Sequence, residues 1–101
     1  MVRGTTPQLT FKIGIAPSRF LKLFITAEQS GKLAFERSLD EVVKNESTKT
    51  VSFRLTQEET LALNDRSPVY IQARGLLADN VAVASPILQF SVDGILREGV
   101  L

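Results

Sequence analysis

A chain of 101 residues, 44% hydrophobic and 23% charged, fits one globular domain with its own core and excludes global disorder. Twelve basic and eleven acidic residues leave a net charge of +1, so no whole-molecule field steers the chain toward nucleic acid or an anionic membrane. With no His and no Cys, the Ser-His triad, thiol nucleophiles, zinc thiolate sites and disulfides are excluded together.

In chain order, Met1 to Gln8 (MVRGTTPQ) is polar, with Gly4 and Pro7, and reads as a flexible N-terminal arm ahead of one β domain over residues 9–101. Leu9, Phe11, Ile13 and Ile15 then alternate with Thr10, Lys12 and Gly14, the period of a half-buried strand. Arg19 to Ala27 is a second strand with Leu21, Leu23 and Ile25 on one face. Phe20 and Phe24 on the other face suggest that it is covered on both sides. Gln29-Ser30-Gly31 is a turn, and Lys32 to Leu39 returns with Leu33, Phe35 and Leu39 inward. Asp40 to Lys49 reads as a long polar loop with room for one helical turn, and Thr50 to Leu55 as a short strand with Val51, Phe53 and Leu55 inward.

Thr56-Gln57-Glu58-Glu59 matches a capping box, which predicts a helix over residues 57–63 burying Leu61 and Leu63. At about two turns it cannot stand alone in water and must pack on the sheet. Pro68 to Leu77 is the longest regular strand, with Val69, Ile71 and Ala73 on one face and Tyr70, Gln72, Arg74 and Leu76 on the other. Asp79-Asn80 suits a tight hairpin. Beyond it the apolar phase runs odd at Val81 and Val83 but even at Leu88, Phe90 and Val92, so it slips at Ser85-Pro86. A proline there marks a bulge or an edge strand. The expected fold is all-β, a small antiparallel β-sandwich (Ig-like) or a partly open barrel with one short helix.

Little in the chain carries chemistry. The acid pairs Asp40-Glu41 and Glu58-Glu59 have the residue types for acid/base work, but the second sits in a first helical turn, where the helix dipole favours negative charge. Basic residues interleave with Phe11 and Phe20 as on a base-stacking surface, although Phe at such positions usually fills a core, and nucleic acid is not expected as a partner. No apolar run approaches the ~20 residues of a membrane helix. Lys12, Arg19 and Lys22 interrupt every candidate signal-peptide core, so a soluble, unexported chain is expected. No enzyme activity, cofactor or metal follows from these residues.

The second half resembles a group of small proteins encoded by phages and prophages of Gram-positive bacteria. The residues concerned are LTQEETL (Leu55 to Leu61), VYIQAR (Val69 to Arg74), AVASPI (Ala82 to Ile87) and ILREGV (Ile95 to Val100). The chain departs from that pattern at Asp79-Asn80, where Asp-Gly is usual, and at Pro86. The resemblance implies a structural or assembly protein of a phage head or tail, found in the virion or in the bacterial cytoplasm before assembly. It would act on other virion proteins or on copies of itself, as a homo-oligomer, without a membrane. A ligand- or partner-binding β-sandwich is the alternative. Surface reasoning adds interaction candidates: Arg3 in the arm, Pro86 at the expected edge, and Ile95, Leu96 and Val100 in the apolar C-terminal stretch.

Overall fold

The computed structural model describes residues 1–101. Its strands are β1 (Gln8–Lys12), β2 (Phe20–Gln29), β3 (Lys32–Ser38), β4 (Val43–Asn45), β5 (Thr50–Arg54), β6 (Val69–Leu77), β7 (Ala82–Ala84) and β8 (Leu88–Phe90), with one helix, α1 (Gln57–Leu61). They form two antiparallel sheets, β1-β5-β4 and β3-β2-β6 with β7 and β8 both on the far edge of β6. The sheets stay separate, so the fold is a β-sandwich and not a closed barrel. Its shortest dimension, 17 Å against a longest of 48 Å, is that of two stacked layers.

Sixteen buried apolar side chains fill the space between the layers, with Ile25, Leu55, Ile71, Val51 and Val69 the largest fully enclosed aliphatics. Phe53 of β5 centres the aromatic part, stacked on Phe11 at 6.0 Å and edge-on to Phe35 at 6.2 Å. Gly75 belongs to this packing, because a Cβ there would lie 2.5 Å from Cε1 of Phe20.

Three register shifts explain where simple alternation misleads. Between Phe20 and Lys22 the β2–β6 register slips, so Phe20 turns inward and Leu21 out, while Phe24 stays on the face opposite Leu23 and Ile25 and is exposed. The expected double cover of β2 is therefore absent within this chain. A bulge between Ala27 and Glu28 puts Leu33 opposite Glu28 on the outer face, against the expectation that Leu33 points inward. The third lies at Ser85-Pro86, where the edge strand carries one residue more than β6: Arg74 pairs with Ala84, but Ile71 with Leu88. There the Ser85 hydroxyl takes the place of a ladder carbonyl and accepts from the Ala73 amide at 3.0 Å. The loop expected at 40–49 also contains strand: β4 adds to β5 as an edge, with Val42 buried.

The capping box forms as the sequence predicts: the Glu59 amide donates to Oγ1 of Thr56 (3.1 Å) and the Thr56 amide to Oε1 of Glu59 (2.9 Å). The helix is shorter than expected, ending at Leu61, with Leu63 buried beyond it and Leu61 half-buried. Residues 1–8 do not project as an arm. Met1 and Arg3 hydrogen-bond to Ser91 and Asp93, and the Pro7 carbonyl accepts from Leu55. The buried Thr60 hydroxyl donates to the Thr5 carbonyl at 2.8 Å. This short segment is held because it supplies acceptors and donors that the helix and the stretch Ser91 to Asp93 would otherwise lack.

Candidate interaction surface

The two outer faces of the sandwich differ in chemistry. Strand alternation gives the smaller sheet an outer face of Gln8, Thr10, Lys12, Thr50, Ser52 and Arg54, an ordinary solvated surface apart from Val43 at its edge. The larger sheet instead exposes Phe24 (44%), Leu33 (67%) and Tyr70 (39%), with half-buried Leu76 beside them. Cross-strand pairing sets Lys22 opposite Leu76, Phe24 opposite Arg74, Thr26 opposite Gln72, and Glu28 opposite Tyr70, so Phe24 with Leu76 and Leu33 with Tyr70 form two apolar spots with Thr26, Gln72 and Glu36 between them. A groove of about 400 Å³ runs between Lys22, Phe24, Glu36, Arg74, Leu76 and Ala82. Large apolar side chains left exposed among charged residues on a sheet face mark a contact site.

The charges on this face are segregated. Lys22 and Arg74 stand at the levels of residues 22 and 24 of β2 and Glu36 and Glu28 at those of 26 and 28, Glu36 sharing the groove with both cations, and none of the four forms an ion pair within the chain. The only intramolecular side-chain bond among them runs from the Thr26 hydroxyl to Oε2 of Glu36 at 2.8 Å.

The sequence-derived interaction candidates fall into two places. Arg3 is engaged inside the chain: its guanidinium donates to the Leu63 carbonyl (2.6 Å), the Leu61 carbonyl (2.8 Å) and Oε1 of Glu98 (2.6 Å). It thereby caps the C-terminal end of α1, where carbonyls lack helical partners. Ile95 is half-buried near Gly4 and Leu61, while Leu96 and Val100 are exposed on the same terminal segment. Pro86 stands apart from these four, exposed at the β7–β8 break, where it lines a groove of about 250 Å³ with Ile13, Ile15, Phe20 and Val83. The outer face was missed because uniform alternation put Leu33 in the core and a second layer was expected over Phe24; a bulge turns Leu33 out, and no layer covers Phe24.

One acid of each pair is held by structural contacts. Glu59 forms a two-pronged ion pair with Arg37 of β3, at 2.6 and 2.8 Å. Hydrogen bonding from Arg37, and next from the Thr56 amide, holds its carboxyl below the ordinary carboxylate range, and the same pairing raises the Arg37 guanidinium. Glu41 is likewise lowered by the backbone and hydroxyl of Ser38. Both carboxyls are thus kept ionised, the opposite of what a general acid needs. No helix is long and apolar enough to cross a membrane. No family model, no curated protein and no solved structure matches this chain.

Proposed function

We propose that this protein is a structural or assembly component of a phage head or tail, acting by protein–protein contact through the open face of the larger sheet. One observation carries the contact reading: Phe24, Leu33 and Tyr70 are exposed, with half-buried Leu76 beside Phe24, on a sheet whose opposite layer has a polar counterpart face apart from Val43. The phage assignment draws its support from the resemblance of Leu55 to Val100 to phage-encoded proteins. Its partners would be other virion proteins or further copies of the chain, in the virion or in the bacterial cytoplasm before assembly. The groove beside Phe24 favours a second reading, a ligand- or partner-binding module, because its volume reaches the lower range of small-molecule sites.

Mass spectrometry of particles and assembly precursors from a host carrying the gene tests the proposal. The chain is expected in them in multiple copies, and Phe24→Asp, which leaves the buried core untouched, is expected to reduce its incorporation. Absence of the chain from both particles and precursors would refute the phage reading.

A further inference from the structure

We infer that the open face of the larger sheet binds the same face of a second copy, forming a two-fold symmetric dimer. The inference rests on the contact reading of this face and names its partner. The argument is the charge order along the strands. On β2, Lys22 and Glu28 lie three residues to either side of Ile25, and on β6, Leu76 and Tyr70 lie three residues to either side of Ala73, which pairs with Ile25. A two-fold axis parallel to the sheet and midway between the two faces, crossing the strands at the Ile25–Ala73 level, therefore sets Lys22 over Glu28 of the second copy. The same rotation sets Leu76 over Tyr70, and places the two Phe24 rings about 7 Å apart along the strand direction.

Sheets stack about 10 Å apart, a gap that one Lys and one Glu side chain span between them. Each contact occurs twice by symmetry, so the order of Lys22 and Glu28 along β2 is complementary to itself when reversed, while Arg74 comes over Gln72 and Glu36 over Ser38 of the second copy. An unrelated partner would have to reproduce that order. Four strands about 4.8 Å apart and nine residues at ~3.3 Å give a footprint of roughly 600 Å² before side-chain relief is counted. That area sits near the ~800 Å² per partner of specific interfaces, so the dimer is concentration-dependent rather than obligate.

Sedimentation velocity of the full chain from about 10 µM to 1 mM tests this, a range set by the modest interface size. Wild type is expected to shift from monomer to dimer across that range. Lys22→Glu and Glu28→Lys, both on exposed positions, are each expected to weaken association by at least about tenfold, since each places like charges in contact twice. The double variant K22E/E28K restores opposite charges and is expected to recover dimerisation to near wild type, with circular dichroism unchanged in all four proteins. A wild type that stays monomeric at 1 mM would overturn the proposal and leave the face to a different protein. Single variants that dimerise like wild type, or a double variant that does not recover, would overturn it as well. A monomer that is nevertheless found in particles defeats this inference and leaves the phage reading standing; a dimer absent from particles does the reverse.

Discussion

Replacing Glu59 by Gln tests the joint that ties the helix to both layers. Glu59 accepts from the Thr56 amide and from both terminal nitrogens of Arg37, whose guanidinium also lies 5.3 Å from the centre of the Phe53 ring. Both side chains are largely shielded, at 15% exposure for Arg37 and 23% for Glu59. The pair thus stands between a surface bridge, at about 0–1 kcal/mol, and a charge-assisted hydrogen-bonded pair, at about 1.5–3 kcal/mol. Gln keeps an acceptor for the cap but loses the charge, so the expected cost at pH 7 is about 1–2 kcal/mol, equivalent to a fall of roughly 4–16 °C in Tm for a domain of this size.

The pH dependence gives the sharper test. Because the folded carboxyl lies below its unfolded value of about 4.3, its contribution is complete above that pH and is lost as pH falls through the lower folded value. Urea melts of wild type and Glu59→Gln should therefore differ at pH 7 and converge near pH 2, where protonated Glu and Gln are nearly isosteric. A cycle with Arg37→Met should show a coupling of about 1 kcal/mol at pH 7. An equal difference at both pH values, or a coupling indistinguishable from zero, would show that the pair does not hold the helix.

Three further outcomes follow from packing and capping. Gly75→Ala is expected to cost about 1–3 kcal/mol through overpacking against Phe20, and Phe20→Leu in the same chain should recover part of it in denaturant melts. Arg3→Ala is expected to destabilise by about 1–2 kcal/mol, because the carbonyls of Leu61 and Leu63 lose their donor; a neutral result in thermal melts would return residues 1–8 to the status of a free arm. Phe53→Ala is expected to cost about 3–5 kcal/mol in the same melts, since it removes the ring that Phe11, Phe35 and Arg37 all contact.

What could be read from the sequence was local. The capping box at Thr56, the inward set Val69, Ile71 and Ala73, the turn at Asn80 with φ of 66°, and the phase slip at Ser85-Pro86 all depend on residues within one element, and each appears in the structure. Pairing between distant segments was not legible in this way. Arg3 reads as a free charge until the chain brings residues 61–63 to it, and Gln29 reads as a turn residue. In the fold its buried amide donates to the Asn64 and Ser67 carbonyls and accepts from the Asn64 amide, fastening the loop after the helix.

The exposed face eluded sequence reasoning for the same reason, at one remove. A bulge is a property of two strands in register, and it inverts the side of every residue beyond it. Leu33 is the same letter in either phase, and only its pairing with Glu28 places it outside; Phe24 keeps the face that alternation gives it, but nothing in the sequence says that this face is left uncovered. The sequence therefore contained the apolar residues of the face and the charges that border it, while their order as Lys22 and Arg74 at one end against Glu28 and Glu36 at the other exists only once β2, β3 and β6 are aligned. Within that order it is the placement of Lys22 and Glu28 three residues to either side of Ile25, more than the exposed area, that selects a reversed copy of the same face as its complement.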